Sequence, residues 1–401
     1  MPEPGTRVVL GVGAGIAAYK VCELLRRLTE TGHDVHVVPT PDALRFVGAA
    51  TWAALSGHPV ATDVWTDVAA VPHVRLGRRA DLVFVAPATA DLLVRAANGR
   101  ADDLLTSTLL TARCPVVYAP AMHTEMWEHP ATQANVSVLR DRGSIVVEPA
   151  AGRLTGADSG PGRLPEPAEL FEVARRVLAR GALAGDLSGR HVVVSAGGTR
   201  EAIDPVRFIG NRSSGLQGYA LARTAVARGA RVTVVAANVA LPDPAGARVV
   251  RVGSAEEMGK AVREAAHEAD AVIMAAAVAD FRPVDYRTTK IKKSETAEPE
   301  PIRLTKNPDI LAELVTARPA GQVVVGFAAE TDDVVEHGRA KLARKGCDLL
   351  VVNQVGEHLA FGTADNAAIV LAADGTAVEV PRGPKEALAD TVWDLVVGRL
   401  G

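Results

Sequence analysis

The stretch Val8-Val9-Leu10-Gly11-Val12-Gly13-Ala14-Gly15-Ile16-Ala17-Ala18-Tyr19-Lys20 decides the fold. A short apolar run ends in a glycine turn. A helical pattern follows over 16–31, with Val21, Leu24, Leu25 and Leu28 on one stripe and Gly32 as its stop. Working outward, further strand signals lie at 35–38, at 81–86 before Pro87-Ala88-Thr89, and at 116–119 before Pro120-Ala121-Met122. Such a β-α-β series implies a parallel sheet with sites at the carboxyl ends of its strands.

The same grammar restarts at 191–195, a strand that runs into Gly197-Gly198-Thr199. A long loop to Gly215, a helix to about 228, and strands at 231–236, 271–276, 323–326 and 349–352 complete it. Two such starts imply an α/β protein of two doubly wound domains, expected at 1–185 and 186–401. Between them, 150–167 is glycine-rich and reads as a mobile loop, 166–180 as a helix and 181–189 as the linker. The charged segment 282–301 interrupts the second domain and reads as an extension that pairs with another subunit.

Composition agrees. A chain of 401 residues exceeds one ordinary core. Hydrophobic residues make up 48% but aromatics only 4%, with 36 glycines, which suits buried parallel strands joined by tight turns. The net charge is −3 with both signs interspersed, and no basic run suggests a nucleic-acid partner. Cys22, Cys114 and Cys347 lie far apart without metal-ligand spacing, as expected of a reducing compartment. The first six residues lack an apolar core and the longest apolar runs are strand-length. The expectation is a cytoplasmic protein with no membrane segment.

Gly13-Ala14-Gly15-Ile16-Ala17-Ala18 fits G-x-G-x-x-A between strand and helix, where N–H groups and the helix terminus favour a phosphate. A dinucleotide site also asks for an acid at the end of the second strand; here that strand ends in Pro39-Thr40. This favours a mononucleotide such as FMN over NAD, with a ligand-free tight turn as the third reading. His73, in Val71-Pro72-His73-Val74, suits proton abstraction near neutral pH, although a lone histidine is more often structural or exposed. Small residues at the strand ends Pro87-Ala88-Thr89-Ala90-Asp91 and Pro120-Ala121-Met122-His123 let a flat ring approach.

These segments, with Met126-Trp127 and the run ending Gly160-Pro161-Gly162-Arg163-Leu164, resemble the flavoprotein family of homo-oligomeric cysteine decarboxylases, in its phosphopantothenoylcysteine decarboxylase branch, over about 7–180. The resemblance implies FMN held by Gly13, Ala14, Gly15, Thr40, Thr89, Ala90 and Ser107, with His73 as catalytic base. It also implies a substrate flap containing Gly156, Asp158 and Arg163. The family's chemistry is oxidation of the cysteinyl thiol to a thioaldehyde with FMN, loss of carbon dioxide next to the C=S group, and return of a hydride and a proton. Two positions depart from the pattern. His123 stands where the family has an Asn that holds the substrate carboxylate, and a histidine can donate a hydrogen bond there. Gly156 stands where the flap has a proton-donating Cys, which leaves Asp158 as a candidate donor.

In the second half, Ser195-Ala196-Gly197-Gly198-Thr199 runs on to Asn211-Arg212-Ser213-Ser214-Gly215, a phosphate-suited loop ahead of a helix. No Walker A loop occurs: 253–259 has the wrong spacing, and Lys260 is followed by Ala261. With Ala275-Ala276-Ala277-Val278-Ala279-Asp280-Phe281, Lys290-Ile291-Lys292-Lys293, Lys306-Asn307-Pro308-Asp309-Ile310, Gly326-Phe327 and Lys341 with Lys345, residues 190–401 resemble the cytidylyl-activating phosphopantothenate–cysteine ligases. A carboxylate must become a mixed anhydride before an amine attacks it. The resemblance implies an acyl-cytidylate made from CTP, with Lys side chains and Mg²⁺ neutralising the converging charge. Asn211 and Lys290 are implied in forming it. Gly198, Ser213, Ser214, Ala275, Ala276, Asp280, Phe281, Asn307, Pro308, Asp309, Ile310, Phe327, Lys341 and Lys345 are implied in holding CTP, with Asp280 on the metal. Without the resemblance, Lys290, Lys292 and Lys293 read as a solvated face.

Together the halves imply consecutive steps from 4'-phosphopantothenate and L-cysteine, in a homo-oligomer of trimeric flavin domains and dimeric ligase domains, a dodecamer. The rivals are an NAD-dependent oxidoreductase, resting on the glycine loop alone, and a ligase joined to a non-catalytic flavin-binding domain of the halotolerance type.

Overall fold

A computed structural model describes residues 5–60, 62–65, 69, 71–154, 158–181, 185–292, 301–330, 333–354 and 365–401. The chain divides into a unit of Met1–Arg190 with Arg223–Arg231 and Pro244–Ala247, and a unit of His191–Ala222, Val232–Asp243 and Arg248–Gly401.

In the first unit the glycine turn joins β1 (Arg7–Val12) to α1 (Ala18–Glu30), whose stripe Val21, Leu24, Leu25 and Leu28 is fully buried. β2 (Asp34–Pro39), α2 (Ala49–Ser56), α3 (Pro72–Arg79), β3 (Leu82–Ala88) and α4 (Ala90–Ala97) follow. Then come α5 (Leu104–Thr111), β4 (Val116–Pro120), α6 (Thr124–Glu128), α7 (Pro130–Asp141) and β5 (Ile145–Val146). The sheet order is β2-β1-β3-β4-β5, all parallel. β3 is central and buried at every residue, which is why it reads as an unbroken apolar run. Side-chain caps start three of the helices: Thr89 on α4, an Asp103–Thr106 capping box on α5, and His129 on α7. The order reverses between β1 and β3, the place where folds of this class set their ligand crevice.

One expectation is corrected here. Residues 150–167 are not simply a loop: β6 (Ala150–Arg153) and β7 (Ser159–Arg163) form an antiparallel hairpin before α8 (Pro167–Arg180). Its glycines answer contacts rather than local propensity. Met122 N–H donates to the Gly162 carbonyl at 3.0 Å, Thr124 Oγ1 donates to the Pro161 carbonyl at 2.8 Å, and a Cβ on Gly160 or Gly162 would collide with Thr124 or Met122.

The second unit begins with β8 (His191–Gly197), wholly buried. The expected long loop holds a further hairpin, β9 (Arg200–Ala202) with β10 (Phe208–Gly210). α9 (Leu216–Ala227), β11 (Arg231–Ala237), β12 (Ala247–Val252), α10 (Ala255–Ala266) and β13 (Ala271–Met274) come next. They are followed by β14 (Phe281–Pro283), β15 (Leu304–Lys306), α11 (Ile310–Ala317), β16 (Val323–Glu330), α12 (Val334–Lys345) and β17 (Leu349–Gln354). β18 (Asp365–Ala372), β19 (Ala377–Pro384) and α13 (Lys385–Val397) close the chain. The sheet runs β12-β11-β8-β13-β16-β17-β18-β19. β13 pairs in parallel with β8 and β16, and the reversal lies between β8 and β13. The last two strands are antiparallel additions that the sequence reading missed. At the two ends of segment 282–301, of which 293–300 lie outside the described residues, β14 pairs with β15 in antiparallel fashion. Among the described residues, no helix is long and apolar enough to cross a membrane.

Gly197, at the end of β8, tests the packing against the end of β11. Its φ is +84° and a Cβ there would run into the Ala237 carbonyl. Gly375, in the β18–β19 turn, has φ +91° with nothing within 4 Å of a Cβ. Gly197→Ala is expected to cost about 3 kcal/mol or more, and Gly375→Ala only the backbone strain of about 1–2 kcal/mol. Calorimetric unfolding should therefore show a much larger fall in Tm for Gly197→Ala; equal shifts would contradict the packing.

Candidate functional site

In the first unit the crevice forms where the β1–α1 loop meets the end of β3. Gly13 N–H donates to the Pro87 carbonyl at 3.0 Å, so close that a Cβ on Gly13 would strike that oxygen. A Cβ at Gly15 would touch Pro87 and Thr89 at 3.7 and 3.8 Å. Thr40 N–H donates to the Val12 carbonyl at 2.8 Å. The structure therefore brings Gly13, Ala14, Gly15, Thr40, Thr89 and Ala90 to the carboxyl ends of three adjacent strands, β1, β2 and β3. Ser107 sits on α5, two residues after Leu105, which packs against Gly11.

His73, half-buried on α3, is tied to that same helix: Thr111 Oγ1 donates to the His73 carbonyl at 2.8 Å. Among the described residues, Thr40 Oγ1 and His73 Nδ1 are buried without a hydrogen-bond partner, and the N–H groups of Ala14 and Gly15 have no backbone acceptor. An uncommitted hydroxyl and free amides at the strand ends fit a ligand carrying a phosphate and polar ring atoms, as FMN does.

His123 is exposed just before α6, beneath the β6–β7 hairpin. Arg163 donates to Glu166 at 3.0 Å, and Glu166 also accepts from Lys20 of α1 at 2.9 Å. Asp158 is exposed, and Gly156 lies outside the described residues. Among the described residues, no hydrogen bond or ion pair joins His73, His123 and Asp158 to one another.

In the second unit a cavity of about 970 Å³ opens at the β8–β13 reversal. Of the residues singled out in sequence, Asn211, Ser213, Ser214, Ala275, Ala276, Asp280, Phe281, Asn307, Pro308, Asp309, Ile310, Phe327, Lys341 and Lys345 line it. Gly198 and Lys290 do not. Gly198 lies behind Asn211, whose carbonyl oxygen stands 2.7 Å from where its Cβ would be. Lys290 is exposed, one residue before Ile291, whose N–H donates to Asp204 at 3.1 Å.

Hydroxyls fix the backbone of this wall. Ser195 Oγ accepts from Ala276 N–H at 3.1 Å, and Thr199 Oγ1 from Ala279 N–H at 2.9 Å. Side-chain amides lock the adjacent turn, Asn211 Nδ2 donating to the Val278 carbonyl at 3.1 Å and Asn307 Nδ2 to the Ala279 carbonyl at 2.8 Å. Arg212, Lys306, Lys341, Lys345 and Lys385 line the cavity against only Asp280 and Asp309, so its field favours a polyanion.

Asp309 caps α11, accepting from Ala312 N–H at 3.2 Å, and pairs with Lys345. Burial alone would raise its carboxyl. The Lys345 hydrogen bond, the Ala312 N–H and the charges of Lys345 and Arg344 outweigh that and hold it below the usual range.

Sequence reasoning missed the opposite end of the cavity. Asn366 Nδ2 donates to Gln217 Oε1 at 3.1 Å and to Asn353 Oδ1 at 3.3 Å, and Gln217 Nε2 donates to the Lys385 carbonyl at 3.1 Å. Burial pushes the Lys385 ammonium down. These are single polar residues on four separate elements, with no shared motif to reveal them.

Residues 2–178 match the flavoprotein family, and residues 187–400 match the C-terminal domain of the DNA/pantothenate metabolism flavoproteins. The class is thus a flavoprotein module followed by a pantothenate-metabolism module. The coenzyme A biosynthesis bifunctional protein CoaBC of Mycobacterium tuberculosis is 60% identical, with 98% of this chain and 96% of that protein covered. The protein of the same name from Vibrio cholerae is 43% identical, with 98% of each covered. A crystal structure of the C-terminal domain of a CoaBC protein is 34% identical, covering 54% of this chain and 98% of that one at a TM-score of 0.47. The chain belongs to the family of coenzyme A biosynthesis bifunctional proteins.

The Asp309–Lys345 pair is testable by titration. A depressed carboxyl contributes stability above the ordinary carboxylate range, and that contribution is lost as pH falls through the lowered pKa. In Lys345→Met the Asp309 carboxyl is expected to rise, read by carboxyl-carbon NMR with selectively labelled aspartate. An unchanged titration would mean that the cap amide, not the lysine, sets it.

Proposed function

We propose that the chain performs two consecutive steps of coenzyme A biosynthesis, ligation in the 186–401 half and decarboxylation in the 1–185 half. The ligase reading rests on the cavity, whose excess of cations over carboxylates suits a nucleoside triphosphate beside a phosphorylated acid. The carboxylate of 4'-phosphopantothenate attacks the α-phosphorus of CTP. The bond to the β-phosphate oxygen breaks, giving an acyl-cytidylate and pyrophosphate. The L-cysteine amine then attacks the acyl carbon, and CMP leaves as the amide forms. Lys341 and Lys345 neutralise phosphate charge, and Asn211, Ser213 and Ser214 present donors at the start of α9. Asp280, exposed at the cavity edge, would supply a carboxylate to Mg²⁺, which would neutralise phosphate charge there. Lys290 does not line this cavity; on a segment read as pairing with another subunit, it would serve the cavity of a second copy.

Decarboxylation belongs to the first crevice. FMN, when bound there by Gly13–Gly15, Thr40, Thr89, Ala90 and Ser107, would take up two electrons and then return them, so the cycle is redox-neutral. His73 takes the proton released at the cysteinyl carbon or sulfur. His123 donates a hydrogen bond to the substrate carboxylate until its C–C bond breaks. Asp158 returns the proton that a flap cysteine gives in similar decarboxylases, while Arg163 holds the hairpin through Glu166.

Exposed apolar side chains flank this crevice: Ile16 and Tyr19 beside the glycine loop, Phe46 after Thr40, Met126 after His123. They support a trimer meeting at the FMN site. Phe281, Val284, Tyr286, Ile302 and Leu304 around the β14–β15 hairpin are likewise exposed and support dimers of the ligase half, and hence a dodecamer. The setting is cytoplasmic, where CTP is made and thiols stay reduced.

The alternative, a ligase carrying a non-catalytic flavin domain, draws on His123 and Gly156. Variants separate the two halves. Asn211→Ala is expected to lower ligation by about 10²-fold or more while still decarboxylating supplied phosphopantothenoylcysteine, and His73→Ala to do the reverse. Asp158→Asn should slow decarboxylation alone. If His73→Ala and Asp158→Asn both leave decarboxylation unchanged, those assignments fail; if wild type consumes no phosphopantothenoylcysteine, the alternative stands.

A further inference from the structure

Away from both sites, three potential metal ligands converge on the edge strand of the first sheet. Asp34 and His36 are two apart on β2 and so share one face. His58 returns to that face from the end of α2, which packs on β2. Its placement is built rather than incidental. Buried Trp52 anchors α2, its Nε1 donating to the Val47 carbonyl at 3.0 Å. Gly57 N–H closes the helix on the Ala53 carbonyl at 3.0 Å, and His58 N–H donates to Ser56 Oγ at 3.2 Å.

The imidazoles stack with centroids 4.4 Å apart and planes 17° from parallel. His58 Nε2 is hydrogen-bonded to Asp34 Oδ1 at 2.7 Å, and His36 Nε2 lies 3.4 Å from the same oxygen. One ligand atom from each residue lies within 4.8 Å of the other two. For bonds of about 2.0–2.1 Å, a tetrahedral ion sets its ligands about 3.3 Å apart, between the two observed spacings. Arg7 Nε donates to the other oxygen, Asp34 Oδ2, at 3.1 Å, orienting the carboxylate as outer partners of metal ligands do. The side chains are 26–38% exposed, which leaves room for a water as fourth ligand.

We infer that Asp34 Oδ1, His36 Nε2 and His58 Nε2 form a binding site for a divalent transition ion of the Zn²⁺ class. Two imidazoles and one carboxylate suit such an ion and not Mg²⁺ or Ca²⁺, which prefer all-oxygen shells. The ion joins α2 to the edge strand β2, so its role is structural and separate from FMN and CTP.

The test uses the full-length, flavin-loaded protein without a histidine tag, stripped with chelator and titrated calorimetrically with ZnCl₂. Wild type is expected to bind one high-affinity Zn²⁺ per chain. His58→Ala and Asp34→Asn should weaken that binding more than tenfold, and Arg7→Gln by about tenfold through the carboxylate. His267→Ala, on an exposed residue elsewhere, should leave it intact. Should the variants unfold, anomalous scattering at the zinc edge from soaked wild-type crystals decides. A peak among Asp34, His36 and His58 upholds the site. No Zn²⁺ binding, binding insensitive to these substitutions in folded protein, or a peak elsewhere overturns it.

Discussion

Backbone-to-backbone contact where the strand order reverses is the constraint on which both sites depend. Gly13 N–H meets the Pro87 carbonyl at 3.0 Å in one sheet, and Ala277 N–H meets the Gly197 carbonyl at 2.8 Å in the other. At each reversal the crossovers leave to opposite faces of the sheet, and the parting loops open a crevice. A Cβ on Gly13 would strike the Pro87 carbonyl, and one on Gly197 the Ala237 carbonyl of the neighbouring strand β11. What fills the crevice then depends on the few polar groups left facing it.

Those groups differ between the units, and the difference divides the chemistry. The strand ends of the first unit offer the unpaired Thr40 hydroxyl and uncharged backbone amides, and His73 on α3 keeps an unpaired ring nitrogen. Such groups fit a flavin phosphate. The second is a wide cavity with more cations than carboxylates, its wall held rigid by Ser195, Thr199, Asn211 and Asn307. It suits a reaction in which several phosphates and a carboxylate must share a small space.

The architecture was legible because buried parallel strands such as β3 and β8 are continuous apolar runs, and because glycine turns mark the reversals. The β6–β7 hairpin was not, since Gly160 and Gly162 are set by the crowding of Thr124 and Met122, far away in sequence. β18 was missed although it alternates buried and exposed at its start, because no parallel-sheet pattern announces an antiparallel edge. Most expected ligase residues do line one cavity. Gln217, Asn353, Asn366 and Lys385 escaped because only the fold brings them together, and Lys290 lies outside because its segment is tied to the turn at Asp204.

The central claim is that both halves work in one chain. Purified protein incubated with FMN, Mg²⁺, CTP, L-cysteine and 4'-phosphopantothenate, followed in time by mass spectrometry, tests it most directly. The account predicts transient phosphopantothenoylcysteine giving way to 4'-phosphopantetheine. Phosphopantothenoylcysteine that accumulates and persists would contradict it, leaving a ligase whose flavin domain, with His123 and Gly156 in place of the usual residues, no longer decarboxylates.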